Sequence, residues 1–286
     1  MKFLILGAID TENTKDLELE ILKKGHEVAK VNPKDFLFSV ENNEFNIAAS
    51  GVNLLNFDIY LLRGYNISIT ETRIFVEKLL SLGKIVIDEV VGEQYIPSKL
   101  FEASCLSRVG LNHPKTFSIL KEESFDLFKE KLDYPVIVKP VDGQKGQDMY
   151  KFESEDQLNI FIKKNQRGWL IQECLPIDGD VRVFVVGSEV LGAIKRFTVE
   201  GDFRSNASLG ANAKEFELTE EIKEIALKAK EAMNCEVAGV DLAWSKEKWY
   251  VIEVNFSPQW QKFKEITGLN PAEKIIEYAI GKYNNK

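Results

Sequence analysis

Apolar runs and helix-forming segments alternate along the first hundred residues. Each short apolar run has the length of a buried strand, and the segments between the runs repeat apolar residues at helical spacing. Gly25 ends the first helical segment and leads into the next strand, which is typical of a glycine at a helix C-terminus. The predicted strands are 2–6, 26–31, 58–62 and 84–88, and the predicted helices are 15–24 and 71–82. This order predicts a small parallel sheet with helices on both faces.

The rest of the chain mixes helices with strands that can pair antiparallel. Two apolar runs joined by Gly187-Ser188 predict a hairpin, because this dipeptide suits a tight turn. Ser124 is placed to cap a helix over 124–132. The other predicted elements are helices at 98–110, 157–164, 220–233 and 271–283, a strand from 116, and strands at 134–139, 169–173, 181–186 and 189–196. We therefore expect an α/β protein in three parts, with an N-terminal parallel α/β domain at 1–96, a central module at 97–178 and a C-terminal module at 179–286.

A further predicted hairpin, within 237–258, carries polar side chains where a strand buries apolar ones. Asp241 lies in its first strand, and Glu253 and Asn255 lie in its second. Burying carboxylates is unfavourable unless a cation or hydrogen bonds compensate them. Two carboxylates and an amide oxygen are hard ligands that suit Mg²⁺, which leaves coordination positions for phosphate oxygens. These three residues are therefore the predicted metal ligands.

Strand geometry supports a shared site on this hairpin. Side chains alternate along a strand, so Glu253 and Asn255 are predicted to share one face. The other face is predicted to carry Tyr250, Ile252 and Val254. A turn at 245–248 places Asp241 opposite Glu253, roughly 5 Å apart at Cβ, and Leu242 opposite Ile252. Like charges that close need a cation between them or a raised pKa. The alternative interpretation is a hairpin with one solvated face.

Composition narrows the function. The chain has 286 residues, of which 44% are hydrophobic and 29% charged, as in ordinary globular proteins. Its 37 basic and 45 acidic residues give a net charge of −8, which argues against a general nucleic-acid binder and gives no reason to expect a membrane surface as partner. An acidic carrier protein is a less natural partner unless a local basic cleft overrides this charge. No apolar run has the length of a membrane span or the form of a signal peptide.

The cysteines and histidines are few and scattered. Cys105, Cys174 and Cys235 lack metal-ligand spacing, and their odd number fits reduced thiols in a cytoplasmic protein. We expect each of them to be a small core residue. His26 and His113 are far apart in the sequence, so neither a zinc site nor a His-based triad is expected.

A strand and the loop after it predict a phosphate-binding element. The apolar run 135–138 ends in Lys139, and the loop 142–147 contains Gly143 and Gly146. Glycines allow backbone N–H groups to approach a phosphate, and a lysine adds a positive point charge. An ordinary strand end with a turn fits this pattern equally well, because the loop is not a Walker A sequence.

Two more stretches point to a nucleotide and an acidic substrate. The run 171–175 leaves a strand and enters a linker that ends at Asp180, and such a hinge can present backbone groups to adenine and a carboxylate to ribose. A solvated linker fits this stretch better when it is taken alone. Three arginines within 23 residues suit phosphate and acid binding better than a role as surface residues. They are Arg182, Arg196 and Arg204.

Together these motifs resemble the ATP-grasp ligases, and among them the RimK-like glutamate ligases. The similar part runs from about residue 97 to 283, and the N-terminal domain matches in pattern only. The most specific pieces are 171–173, 180–187, 200–206, 238–242 and 253–258. The resemblance implies an ATP-grasp fold, in which two α+β modules clamp ATP and the central one closes over it as a lid.

The resemblance also implies a role for each matching residue. The ATP-contacting lysines would be Lys99 and Lys139, the adenine hinge Glu173 and Cys174, and the ribose ligand Asp180. Contacts to the nucleotide phosphates would come from Arg204, Ser205 and Asn206. The Mg²⁺ ligands would be Asp241, Glu253 and Asn255, with Mn²⁺ as a possible substitute metal. The acceptor carboxylate and the acyl phosphate would face Arg182 and Arg196.

The implied reaction is ATP-dependent ligation of a carboxylate to an amine. The carboxylate attacks the γ-phosphate to give an acyl phosphate and ADP, and an amine then displaces phosphate. Arg182, Arg196 and Lys139 are the expected catalytic residues, no side-chain nucleophile is needed, and no general base for the amine is evident. Glutamate is the amino acid that the family favours. The acceptor is open among a peptide, a cofactor with a glutamyl tail and a small metabolite.

Two other functions remain open at this point. An ATP-grasp kinase would make a phosphate ester and need no amine, and a nucleotide sensor or scaffold would keep the fold without turnover. The intact set of acidic ligands and lysines argues against the sensor. Neither nucleic acid nor membrane is an expected partner, and the resemblance implies a homo-oligomer, either a dimer or a tetramer.

The chain departs from the peptide-modifying members directly after Asn255. Those members usually continue with a small, glycine-ended turn, whereas the segment 256–261 contains Phe256 and Trp260. We expect this bulky segment to border the substrate cleft, so the departure leaves the substrate's identity open.

Overall fold

The computed structural model describes residues 1–49, 52–65, 68–93, 96, 98–141, 148–198 and 212–286. Its strands are β1 Lys2–Gly7, β2 Glu27–Val31, β3 Leu37–Glu41, β4 Glu44–Ala48, β5 Ile59–Arg63, β6 Ile85–Ile87, β7 Thr116–Ile119, β8 Val136–Pro140, β9 Tyr150–Phe152, β10 Trp169–Glu173, β11 Gly179–Val186, β12 Glu189–Phe197, β13 Ala213–Glu215, β14 Val237–Ser245 and β15 Lys248–Asn255. Its helices are α1 Glu12–Lys23, α2 Ile69–Ser81, α3 Val90–Glu93, α4 Lys99–Arg108, α5 Glu155–Lys164, α6 Glu220–Ala232, α7 Gln261–Thr267 and α8 Pro271–Asn284. Within these ranges, no helix combines the length and the apolar character that crossing a membrane requires.

The N-terminal sheet is parallel, as the sequence predicts, and its strand order is β2-β1-β5-β6. Thr11 caps α1 by accepting a hydrogen bond from the Thr14 N–H, and Leu17 of α1 packs in the buried cluster on one face of the sheet. On the other face, Phe75 of α2 packs against Leu4 of β1. Helices therefore cover both faces. The hairpin β3–β4 is an element that the pattern did not predict, because its strands are half-exposed and interrupted by polar residues.

The central sheet is antiparallel, in the order β7-β10-β8-β9. The prediction of a helix over 124–132 is wrong, since two short 3-10 helices, Glu122–Leu127 and Lys129–Lys131, occupy this stretch. Ser124 lies inside the first of them and Lys121 precedes it. The three-residue repeat of a 3-10 helix brings Phe125 and Phe128 to the same side, where both are buried and Phe128 stacks on Phe117 with ring centroids 4.4 Å apart. Tertiary packing of aromatic rings therefore outweighs helix propensity here.

The C-terminal sheet is antiparallel, in the order β13-β12-β11-β14-β15. The predicted hairpin β11–β12 is confirmed, and Gly187 in its turn has a φ of 57° that favours glycine. Helix α6 packs on one face of this sheet, and Leu106 of α4 joins the same buried cluster. Lys99, at the start of α4, is thereby brought to β15. The division into domains 1–96, 97–178 and 179–286 stays a prediction.

The N-terminal and C-terminal sheets share a buried core. Phe3 of β1, Phe184 of β11 and Ile276 of α8 belong to one cluster, in which each is fully buried. This packing sets the C-terminal sheet directly against the N-terminal domain and holds the β14–β15 hairpin next to it.

Candidate active site

The β14–β15 hairpin places its two acidic residues side by side. Asp241 pairs with Glu253, as predicted, and Gly239 pairs with Asn255. The predicted pairing of Leu242 with Ile252 is wrong, because a β-bulge shifts the register and Leu242 pairs with Val251. The extra residue in β15 reverses which face of the sheet the side chains beyond the bulge point to.

The bulge also changes which side chains of β15 are buried together. Val251 and Val254, three residues apart, both pack in the cluster under α6. The predicted shared face of Tyr250, Ile252 and Val254 is therefore wrong. Glu253 lies between the two valines and points to the opposite side, toward Asp241 and α4.

Asp241 is buried and held by two arginines. Its Oδ1 accepts a hydrogen bond from Arg182 Nε at 2.7 Å, and its Oδ2 accepts one from Arg182 Nη2 at 2.7 Å. Arg196 Nη2 lies 2.8 Å from the same Oδ2. Asp241 is 3% exposed, so these are charge-assisted bonds inside the protein. The structure thus brings together three residues that the sequence selected separately.

This pairing sets the charge state of the cluster. Burial acts to raise the pKa of Asp241, but Arg182 and Arg196 outweigh it and lower that pKa to about 2. Burial acts to lower the pKa of Arg196, and the carboxylates of Asp241 and Asp180 raise it beyond its ordinary value. Asp241 and Arg196 are therefore both charged at neutral pH.

Asp180, the predicted ribose ligand, lies in this buried cluster. It is 4% exposed, and its Oδ1 accepts a hydrogen bond from Arg196 Nε at 2.6 Å. The preceding residue, Gly179, has a φ of 148° and its missing Cβ would lie 2.0 Å from the Arg196 carbonyl oxygen. The chain can approach β12 closely only because this residue is glycine. Asp180 and Asp241 thus hold the Arg196 guanidinium between them, and the role of Asp180 as ribose ligand stays a prediction.

Glu253 is linked to helix α4 through Lys99. The Lys99 Nζ donates to Glu253 Oε1 at 2.6 Å and to Glu102 Oε2 at 3.3 Å. Lys99 holds the pKa of Glu253 below its usual range, although burial opposes this. Glu102 is a site residue that the sequence interpretation missed. Its position three residues after Lys99, on the same face of a predicted helix, was the available signal.

Lys139 lies near this group at the end of β8. Its Nζ donates to Gln172 Oε1 at 3.0 Å, and Gln172 in turn donates to Thr116 Oγ1 at 2.9 Å. Burial and the charge of Lys99 lower the pKa of Lys139 to about 8. Burial, together with both lysines, also lowers the pKa of His113 to about 4, so this histidine is neutral. The two lysines predicted to contact ATP therefore lie within electrostatic reach of each other.

The predicted adenine hinge is tied to protein groups on several sides. The Glu173 carboxylate pairs with Lys246 and accepts a hydrogen bond from the Lys115 N–H at 3.2 Å. The Glu173 N–H donates to the Lys115 carbonyl at 2.9 Å, and the Cys174 N–H donates to the Pro135 carbonyl at 3.2 Å. Both N–H groups are therefore hydrogen-bonded within the protein, and the adenine hinge stays a prediction.

Asn255 completes the predicted ligand set. Its Oδ1 accepts a hydrogen bond from the Ser257 N–H at 3.0 Å, which fixes the amide oxygen as an acceptor. In the part of the chain that the structure describes, no group of three or more His, Cys, Asp or Glu side chains could hold a metal. A metal at Asp241 and Glu253 therefore depends on the Asn255 amide. Two carboxylates and an amide oxygen fit Mg²⁺. An ionised carboxylate has about four acceptor positions, so the three arginine contacts of Asp241 leave one position for a metal ion.

The two aromatic side chains of the segment after Asn255 are buried. Phe256 is 6% exposed in the cluster under α6, and Trp260 is fully buried in the core shared with the N-terminal domain. Arg63 stacks over the Trp260 ring at 4.8 Å and donates to the Pro258 carbonyl at 2.7 Å. These contacts hold the segment after β15 against β5, and the expectation that the segment 256–261 borders the substrate cleft stays a prediction.

The remaining predicted ligands cannot be placed. They lie outside the described residues and are Gly143, Gly146, Arg204, Ser205 and Asn206. Of the three cysteines, Cys105 and Cys235 are buried, as expected for small core residues, whereas Cys174 is half-buried.

Comparisons with known proteins bear on this arrangement. The sequence matches the family model of the RimK-like ATP-grasp domain over residues 98–279. The α-aminoadipate–LysW ligase LysX of Saccharolobus solfataricus is 30% identical over 277 residues, covering 93% of this chain and 96% of that protein. A probable α-L-glutamate ligase of Vibrio atlanticus is 30% identical over 262 residues, covering 89% of this chain and 87% of that protein. These matches confirm the resemblance inferred from the motifs.

Solved structures show the same fold. The ATP-grasp ligase PsnB, complexed with a minimal precursor, Mg and ADP, has a TM-score of 0.74 at 19% identity and covers 99% of this chain and 98% of its own. D-alanine–D-alanine ligase from Bacillus anthracis, complexed with ATP, has a TM-score of 0.68 at 18% identity and covers 100% of this chain and 98% of its own. The predicted ATP-grasp fold is thereby confirmed.

Proposed function

Because the chain belongs to the RimK-like ATP-grasp family and is an ATP-dependent ligase that forms C–N bonds, we propose that it joins an amino acid, with glutamate favoured, to the carboxylate of an acidic small molecule or peptide. The observation that carries this proposal is the cluster of Asp241, Arg182 and Arg196 beside Glu253. It joins acidic metal ligands to cations that can hold a carboxylate and an acyl phosphate.

The proposed reaction has two steps. The acceptor carboxylate attacks the γ-phosphorus of ATP, the bond to the β,γ-bridging oxygen breaks, and an acyl phosphate and ADP form. The amine then attacks the carbonyl carbon of the acyl phosphate and releases phosphate. Arg182 and Arg196 orient the acceptor and stabilise the negative charge of the tetrahedral intermediate, and Lys139 neutralises charge on the transferred phosphoryl group. Asp180 acts through Arg196, whose guanidinium it orients.

We also propose the metal and nucleotide contacts of this site. Asp241, Glu253 and Asn255 would hold Mg²⁺, or Mn²⁺ as a substitute, and the ion would neutralise phosphate charge. Lys99 and Lys139 lie where they can reach the nucleotide phosphates, with Gly143, Gly146, Arg204, Ser205 and Asn206 as further proposed contacts. The adenine edge is proposed to use the backbone around Glu173 and Cys174, through groups other than the two N–H groups already bound.

The names of the relatives suggest the substrate class without deciding it. One relative is named as a ligase of α-aminoadipate and LysW, and another as a probable α-L-glutamate ligase. Each name contains an acidic amino acid, and the paired arginines of this site suit an acidic ligand. We propose a homo-oligomer, dimeric or tetrameric, and a cytoplasmic location for the same enzyme.

The test is release of ADP and phosphate with Mg-ATP against pools of amino acids, each combined with pools of short acidic acceptors. We expect phosphate release to require both an acceptor and an amine, and Asp241→Asn to abolish it. A kinase would instead form ADP with no phosphate and no amine requirement. A sensor would bind nucleotide with no release above the Asp241→Asn control in any pool, and that outcome would refute the proposal.

A further inference from the structure

One lysine in the proposed phosphate site is shared between two carboxylates. Lys99 Nζ lies 2.6 Å from Glu253 Oε1, a proposed metal ligand, and 3.3 Å from Glu102 Oε2. Glu253 is on β15 and Glu102 is on α4, so the ammonium group joins two separate elements. A metal ion at Glu253 and this ammonium group cannot both be closest to the same oxygen, since two cations repel each other.

Glu102 is a buried carboxylate with an unusual environment. It is 5% exposed, and its Oε1 has no hydrogen-bond partner among the described residues. Burying a charge in this way is unfavourable unless a cation compensates it. Lys99 is its hydrogen-bonded cation, and Lys139 also acts on it electrostatically. The buried apolar contacts of α4 come from Leu106 and Cys105.

We propose that Glu102 is a positioning residue that keeps the Lys99 ammonium group in the nucleotide-phosphate site once Glu253 is used for the metal. In the nucleotide-free protein, Lys99 neutralises Glu253. When Mg-nucleotide binds, Lys99 exchanges Glu253 for a phosphate oxygen and retains Glu102. The inference rests on the proposed function, because it takes Glu253 as a metal ligand and Lys99 as a phosphate contact.

The arrangement of charges supports this exchange. Glu102 and Lys99 lie three residues apart on α4, so the helix itself fixes their spacing. Glu253 reaches Lys99 only through the packing of α4 against β15. The contact between Glu102 and Lys99 therefore persists when Glu253 exchanges Lys99 for the metal ion. Lys99 then does not need to be brought back from solvent. This reduces the conformational entropy lost when the nucleotide binds.

The test is a double-mutant cycle on nucleotide affinity, which needs no turnover. Calorimetry with ADP and Mg²⁺ compares the full chain, Glu102→Gln, Lys99→Gln and the double variant. When Lys99 is present, we expect Glu102→Gln to weaken Mg-ADP binding about tenfold relative to the unchanged protein. In the Lys99→Gln background the same change should be neutral within about twofold, or tighten binding, because it then only removes a negative charge near the phosphates.

A matched control separates positioning from general damage. Glu20 is 7% exposed, lies on helix α1 and pairs with Lys23 three residues later at 2.7 Å. Glu20→Gln should leave Mg-ADP affinity unchanged. If Glu102→Gln fails to fold, Glu102→Asp keeps the charge at a shorter reach and is measured in the same two backgrounds, where a smaller loss should again disappear without Lys99.

The outcomes distinguish this inference from the proposed function. An equal loss of affinity in both backgrounds, or no loss in the unchanged protein, overturns the role of Glu102 while leaving the ligase proposal intact. Absence of Mg-ADP binding by the unchanged protein overturns the proposed function itself. A loss that depends on Lys99 supports the inference.

Discussion

Replacing Asp241 by asparagine tests the centre of the proposed site. The substitution keeps the size of the side chain and removes the charge that three arginine contacts compensate. Arg182 and Arg196 would then be buried cations facing a neutral amide, with side chains 13% and 4% exposed. The expected result is a large loss of stability together with a loss of metal-dependent nucleotide binding.

The magnitude follows from the electrostatics of the pair. The shift of the Asp241 pKa from 3.8 to about 2 corresponds to roughly 2 to 3 kcal/mol in favour of the charged form. Removing one partner of a buried ion pair typically costs about 3 to 5 kcal/mol. We expect the free energy of unfolding to fall by about 2 to 4 kcal/mol at pH 7. Because the folded-state pKa is the lower one, this stabilisation is fully present above 3.8 and is lost as pH falls toward 2.

Urea unfolding at pH 7 measures the loss, and thermal unfolding with and without ADP and Mg²⁺ measures binding. Asp180→Asn is the matched control, since Asp180 is equally buried and bound to Arg196 but is not a proposed metal ligand. It should destabilise the protein by about 1.5 to 3 kcal/mol and keep the Mg²⁺-dependent rise in melting temperature. Asp241→Asn should lack that rise.

Two results would refute this reasoning. A stability loss below about 1 kcal/mol for Asp241→Asn would mean that the arginines do not depend on this carboxylate. A Mg²⁺-dependent rise in melting temperature as large as that of the unchanged protein would remove Asp241 from the metal site.

Three further predictions concern other parts of the site and its support. Because the pKa of Lys139 is about 8, its ammonium group loses its proton above that pH, so ADP affinity should fall there and binding should take up a proton. Calorimetry in buffers of different ionisation enthalpy measures both effects, and Lys139→Met should remove them. Trp260→Ala should lower the free energy of unfolding by about 3 to 5 kcal/mol in urea, since the ring is fully buried under Arg63, and a loss below about 1 kcal/mol would contradict its anchoring role. Gly179→Ala should destabilise the protein because the new Cβ would lie 2.0 Å from the Arg196 carbonyl oxygen. Gly110→Ala is the control, since its Cβ would have nothing within 4 Å and only backbone strain should lower its stability. Equal unfolding midpoints for the two variants would argue against the close approach at β12.

Local patterns in the sequence were sufficient for most of the fold and for part of the site. The parallel order of the first strands, the hairpin through Gly187 and the pairing of Asp241 with Glu253 all follow from short connections and apolar periodicity. A short turn leaves few possible registers, so two residues close in sequence can be placed opposite each other without knowledge of the rest. The motifs around these residues also identified the family.

Tertiary structure alone decided which charges meet and which bulky residues are buried. Lys99 and Glu253 are 154 residues apart, and no local pattern predicts their contact. The approach of β12 made Asp180 a partner of Arg196, and the bulge at Ile252 moved Val251 into the core. The reason is physical: the free energy of a buried charge depends on the groups that surround it in space. Separate elements supply those groups only after they have packed together.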